Sequence, residues 1–261
     1  MLTVAVDGIP LHYRDVGRGL PVLLLHAFSL DGSSFDPQVA ALSGRYRFIV
    51  PDLRGFGQSP LGEGPLEMRR LALDALALLD ALSIDSAVVG GVSMGGYASL
   101  ALLREDPGRV RGLVLADTQC NADDAAGRDK REATAQQALK EGSASVIHGL
   151  VPLLLHAGPE SPVGREATRL GLSTTPQAIA AAQRGMASRL DSKDLLARFA
   201  GPTLVVVGEH DVLTPVAKAK QMADLVRGAR LEIIPGAGHL ANQERPEAFN
   251  TVLDTFLASL A

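Results

Sequence analysis

A series of short apolar runs, most of them followed by a segment of helical spacing, limits what this chain can fold into. The runs are Pro21-Val22-Leu23-Leu24-Leu25, Arg47-Phe48-Ile49-Val50, Ala87-Val88-Val89-Gly90-Gly91, Val110 to Leu115, Thr203 to Val207 and Leu231 to Ile234. Short continuous apolar runs suit strands buried on both faces, as in a parallel sheet. The intervening segments read as helices: about Phe35 to Leu42, Leu66 to Leu82, Gly95 to Arg104, Pro215 to Val226, and a terminal helix from about Pro246 to Leu260. In the second of these, Leu71, Ala75, Leu78, Leu79 and Leu82 share one face. Leu2 to Val6 and Ile9 to Tyr13 flank Asp7-Gly8, a hairpin signal. The alternation predicts an α/β fold, a mostly parallel eight-stranded sheet with helices on both faces and right-handed crossovers.

The alternation breaks between Cys120 and Ala200. Ala125 to Glu141, Ser145 to Leu155, Pro176 to Ser188 and Asp191 to Phe199 read as amphipathic helices, punctuated by Gly142, Gly158, Pro159, Pro162 and Gly164. The expectation is a core formed by residues 1–119 and 201–261, with a helical cap, residues 120–200, inserted in it.

Composition restricts the function classes. The chain has 261 residues, 46% hydrophobic and 21% charged, as in ordered globular proteins. A formal net charge of −4, with both signs interspersed, gives no reason to expect nucleic acid or an anionic membrane as partner. One cysteine, Cys120, allows no intramolecular disulfide and reads as a small buried residue rather than a nucleophile. The first residues lack a basic region followed by a long apolar run, so a cytoplasmic protein without signal peptide is expected. Without a Cys/His cluster or an H-E-x-x-H motif, neither metal nor cofactor is expected. The expected partner is a small molecule, and no oligomeric state follows from the sequence.

The chemical signal lies in Gly91-Val92-Ser93-Met94-Gly95, between an apolar strand and a helix. A serine on such a strained turn is held up at the sheet edge, and the following helix N-terminus offers N–H donors to an oxyanion. Serine needs an adjacent base at neutral pH. Among six histidines, His239 sits in a glycine-rich loop after a strand and before the last helix, which returns it over the sheet edge. His12 lies in an early strand and His210 in a turn, and His148 and His156 fall in the cap, packed, solvated or facing substrate. His26 follows a buried strand, where it braces a loop or borders the pocket. The base needs an acid to fix its tautomer. Asp211 follows the strand Leu204 to Val207, where catalytic groups of open sheets collect, and Asp117 is its rival. The order Ser93, Asp211, His239 is the one this architecture uses.

These stretches, with His26-Ala27-Phe28-Ser29 and Asp52-Leu53-Arg54-Gly55-Phe56-Gly57-Gln58-Ser59, make the chain resemble the α/β-hydrolase superfamily over nearly its whole length. Within it the sequence is similar to small carboxylesterases and 3-oxoadipate enol-lactonases, which share a Ser-Met-Gly-Gly turn and a compact helical cap. The resemblance implies oxyanion donors at the backbone N–H groups of Phe28 and Met94. It also implies a serine hydrolase acting on a small ester or lactone through an acyl-enzyme. Ala27 replaces the usual glycine and would be uncomfortable at positive φ, so an altered loop is expected. Dehalogenase and epoxide-hydrolase relatives use an aspartate nucleophile, and the absence of tryptophan also speaks against a dehalogenase. A cofactor-free perhydrolase and a ligand-binding signalling receptor on the same fold are the alternatives. Val146, Leu150, Leu153 and Leu154 are candidates for an apolar pocket, with packing of cap on core as the simpler reading. Arg54 is expected to anchor its loop.

Overall fold

The computed structural model of the protein describes residues 1–261. Its strands are β1 (Leu2–Val6), β2 (Ile9–Gly17), β3 (Pro21–Leu25), β4 (Arg47–Pro51), β5 (Ala87–Val92), β6 (Val110–Ala116), β7 (Thr203–Gly208) and β8 (Arg230–Ile234). They form one eight-stranded sheet in the order β1-β2-β4-β3-β5-β6-β7-β8. The pairs β1/β2 and β2/β4 are antiparallel, and every other neighbouring pair is parallel. Asp7 and Gly8 both take positive φ, +41° and +79°, as the tight turn joining β1 and β2 demands.

Chain order decides where a site forms. From β3 the chain moves outward to β4, then returns to β5 on the other side of β3. The order reverses between β3 and β5, and a crevice opens where neighbouring connections part in opposite directions. Leu25, at the end of β3, lies opposite Gly91 near the end of β5. The loops leaving these two strands therefore start side by side. Every residue of β5 and of β7 is buried.

The helices are α1 (Asp36–Leu42), α2 (Met68–Ala81), α3 (Met94–Glu105), α4 (Ala125–Glu141), α5 (Ser143–Leu154), α6 (Pro162–Ser173), α7 (Pro176–Ala187), α8 (Lys193–Arg198), α9 (Val216–Leu225), α10 (Ala241–Glu244) and α11 (Pro246–Ala258). Helices α4 to α8 lie between β6 and β7, with α4 packed on α7 and α5 on α6. Helix α6 was not expected from the sequence, because Pro162 and Gly164 read there as breaks. Pro162 instead occupies the first turn, where its missing N–H costs nothing, and Ser161 caps the helix by accepting the Gly164 N–H at 3.0 Å. Helix α10 is one turn long and so carries no periodicity in the sequence. No helix is long and apolar enough to cross a membrane.

The loop after β4 is held by a buried ion pair. Arg54 Nε and Nη2 each donate to the Asp74 carboxylate of α2 at 2.7 Å, and both side chains are almost wholly buried. Arg54 thus anchors its loop. A buried charge left without its partner is costly, whereas replacing both members with apolar groups often is not. Asp74→Ala is expected to lose about 3–5 kcal/mol of unfolding free energy in urea. The double variant Arg54→Met/Asp74→Leu is expected to recover most of that loss, and equal losses in the two proteins would contradict this account.

Candidate active site

The turn after β5 carries Ser93 at φ 54°, ψ −113°, a conformation that costs a non-glycine residue energy. Its neighbours over-determine it. Ser93 N–H donates to Ala116 O at 3.0 Å, and Ser93 O accepts from Gly96 N, Tyr97 N and Thr118 Oγ1. The turn fits because two glycines leave space. A Cβ on Gly95 would lie 1.9 Å from Leu25 O, and one on Gly91 would lie 2.1 Å from the Gly95 carbonyl carbon. These contacts would be impossible for any side chain.

Three side chains from separate loops meet at this turn. Ser93 Oγ lies 2.7 Å from His239 Nε2, and His239 Nδ1 lies 2.8 Å from Asp211 Oδ2. His239 comes from the loop between β8 and α10, and Asp211 from the loop after β7. Both are buried, and Ser93 is half-buried. An acceptor at Oδ2 places the imidazole proton on Nδ1 and leaves Nε2 to accept from the hydroxyl.

Asp211 is itself fixed. Its Oδ1 accepts the Leu213 and Thr214 N–H groups at 2.8 and 2.9 Å, and its Oδ2 accepts Thr214 Oγ1–H at 2.7 Å. Burial alone pushes this carboxyl up, but His239 and these donors outweigh it and hold it below the usual carboxylate range. Thr214, also 3.3 Å from His239 Nδ1, was not anticipated from the sequence. A threonine shortly after an acid is a common turn residue and signals nothing by itself. Asp117 makes no hydrogen bond to the histidine. Its carboxyl accepts Gly208 N–H at 2.8 Å and Ala241 N–H at 3.2 Å, and so ties the start of the Asp211 loop to the end of the His239 loop. Burial, and then the nearby Asp211 charge, push Asp117 well above the ordinary range. Glu209 turns away and accepts Gly236 N–H.

The Phe28 and Met94 N–H groups bond to no protein carbonyl. Met94 opens α3, where the first N–H groups have no partner within the helix. Phe28 sits in the loop that leaves the end of β3. The expected strain at Ala27 is absent, because Ser29 takes the positive φ instead, +64°, in a turn closed by Leu30 N–H on Ala27 O.

His26 is corrected as a pocket residue. It is fully buried, its Nδ1 bonds Ala27 O at 2.8 Å and its Nε2 accepts Leu53 N–H at 2.9 Å, so it braces two loops. Burial pushes its pKa down, which suits a neutral ring. Val146 and Leu154 are likewise part of the hydrophobic core and Leu150 packs against it, which makes them packing residues. His148 and His156 are exposed. Cys120 is buried, and burial pushes its thiol up, away from the reactive thiolate.

This geometry allows proton transfer from the Ser93 hydroxyl to the His239 imidazole. It also agrees with what the chain resembles. The sequence pattern of the alpha/beta hydrolase fold matches residues 21–246, and the chain belongs to that family. A 3-oxoadipate enol-lactonase of Acinetobacter baylyi is 30% identical, over 92% of this chain and 89% of the relative. A putative non-heme bromoperoxidase of Mycobacterium tuberculosis is 31% identical, over 97% of this chain and 99% of its own. Among solved structures, a thermophilic esterase from Thermogutta terrifontis superposes with a TM-score of 0.94 at 36% identity, covering 99% of this chain and 97% of that one. The protein is thus an α/β-fold hydrolase similar to enol-lactonases and esterases.

The depressed Asp211 carboxyl implies a pH dependence of stability. A group with a lowered folded-state pKa contributes stability that is fully present above its unfolded value, about 3.9 for aspartate, and lost as pH falls through the folded value. Asp211→Asn cannot lose that contribution. Urea unfolding followed below about pH 4 should show a shallower loss of stability in Asp211→Asn than in the native chain. Parallel curves would argue against a stabilised carboxylate at this site.

Proposed function

We propose that the protein is a serine hydrolase that cleaves a small carboxylic ester or lactone through an acyl-enzyme. The observation that carries this reading is the relay from Ser93 Oγ through His239 to Asp211, at 2.7 and 2.8 Å. The similarity to an enol-lactonase and an esterase supports the ester or lactone carbonyl as the target.

Ser93 Oγ attacks the carbonyl carbon while its proton moves to His239 Nε2. Asp211 stabilises the imidazolium through the Nδ1 proton without taking it. The carbonyl oxygen becomes an oxyanion held by the Phe28 and Met94 N–H groups. Collapse of the tetrahedral intermediate breaks the bond to the leaving oxygen, which takes the proton from His239. For a lactone, that oxygen stays tethered to the acyl group. Water then gives a proton to His239 and adds to the acyl carbon, and collapse releases the acid and returns the proton to Ser93. Burial of His239 and Asp211 keeps bulk water from competing for their hydrogen bonds.

Peroxide in place of water at the second step would release a peracid from the same acyl-enzyme. The 31% identity to a relative named as a peroxidase favours this as the second reading. Product formation that requires peroxide and a short carboxylic acid would identify it.

The native protein is expected to react with a fluorophosphonate at Ser93 and to hydrolyse p-nitrophenyl esters of some chain length, or lactones of a matched panel. Ser93→Ala is expected to fold normally, to lose labelling and to lose turnover by at least about 10³-fold. Asp211→Asn is expected to keep the serine but lower kcat by up to about 10⁴-fold, through the wrong imidazole tautomer. Full hydrolytic activity in Ser93→Ala would rule the mechanism out.

A further inference from the structure

Glu244 ends α10 and is buried, yet pairs with no cation. Its carboxylate accepts backbone N–H groups from two distant parts of the chain. Oε2 takes Gly238 N–H at 2.6 Å and His156 N–H at 3.2 Å, and Oε1 takes Ala157 N–H at 2.8 Å. Gly238 immediately precedes His239. His156 and Ala157 belong to the segment leaving α5, within the helical insertion. One side chain therefore joins the loop of the base to the insertion.

Other contacts close the same seam. His239 N–H donates to Leu154 O at 2.8 Å. The His156 ring stacks on the His210 ring, centroids 3.9 Å apart, and His210 adjoins Asp211. The backbones approach so closely that a Cβ on Gly238 would lie 2.7 Å from His156 N and 3.0 Å from Leu154 O. A carboxylate serving only its own turn would need no donor from residues 156–157. This one spans the seam, and hydrogen bonds to a charged acceptor are the stronger kind.

We propose that Glu244 is a positioning residue for His239, and that the segment 154–157 of the insertion is thereby part of the catalytic framework. The inference rests on the serine-hydrolase reading above. The imidazole must satisfy Ser93 and Asp211 at once, and a shift of about 1 Å in such a group can cost about 10²-fold in rate. Glu244 fixes the residue before it, Leu154 O fixes its own N–H, and Asp117 fixes Ala241 two residues on.

The test uses the full chain with Glu244→Gln, Glu244→Asp and Gly238→Ala. The amide of Glu244→Gln offers one acceptor and turns an NH2 toward an N–H donor. Gly238→Ala drives the same seam apart while leaving Glu244 in place. Two rates are read per folded molecule, with folding checked by circular dichroism and urea titration: hydrolysis of a short p-nitrophenyl ester and fluorophosphonate labelling. In Glu244→Gln and Gly238→Ala, kcat and labelling rate are expected to fall together by roughly 10- to 100-fold with KM unchanged. Glu244→Asp, which keeps both oxygens on a shorter stem, is expected to recover part of the rate. A purely structural role would lower the folded fraction and leave both rates per folded molecule intact. Native rates in folded Glu244→Gln overturn the inference; should that variant fail to fold, native rates in folded Gly238→Ala do so. A native chain that does not label at Ser93 removes the serine-hydrolase reading and this inference with it. A native chain that labels, beside a Glu244→Gln variant that labels equally fast, removes this inference alone.

Discussion

The site depends on how closely three segments of backbone can pass one another at the end of β5. The turn at Ser93 folds back until α3 touches both β5 and the end of β3, and Gly91 and Gly95 leave no room there for a side chain. That crowding does two things. It holds Ser93 in a conformation the residue would not choose, with its carbonyl spent on three donors. It also brings the end of β3 and the start of the loop after it, at Leu25 and His26, against the first turn of α3. A strained turn survives only when the surroundings fix it from several sides, and here they do.

Around the turn, buried carboxyl groups organise the loops. Asp52 accepts the Gly32 and Gln58 N–H groups, Asp117 those of Gly208 and Ala241, and Glu244 those of Gly238, His156 and Ala157. Asp211 accepts Leu213 and Thr214 besides His239. Each holds at least one backbone N–H of a buried residue, namely Gly32, Gly208 and Ala241, Gly238 or Thr214, which would be costly to leave unpaired in a medium of low dielectric. The acids also act on one another, since the Asp211 charge helps to push Asp117 up while His239 holds Asp211 down. The result is a rigid frame around one imidazole.

The helical insertion belongs to this frame as much as it covers it. Its α5 exit meets the His239 loop through Leu154 O and meets Glu244 through the His156 and Ala157 N–H groups. Val146, Ile147, Val151 and Leu154 of α5 continue the core, whereas Leu139, Leu153, Leu172 and Leu190 are exposed. The segment that ends this packed run is thus also the one that holds the His239 loop.

The alternating apolar runs and the Gly-x-Ser-x-Gly turn made the sheet, its parallel middle and the positions of Ser93, Asp211 and His239 legible, because periodicity and turn chemistry are local properties. Helix α6 was not legible, since Pro162 at a first turn and Pro162 in a break are identical as text. The positive φ fell on Ser29 instead of Ala27, His26 spent both ring nitrogens on backbone, and Val146 and Leu154 packed inward, because each outcome depends on what lies across a loop or a layer. Thr214 and Glu244 carried no local signal at all. The sequence by itself determined which elements form and which residues could do chemistry, through spacing along the chain. Only the tertiary structure decided which N–H each buried carboxyl holds and which atoms the imidazole meets, because those partners lie far apart in sequence and are chosen by packing.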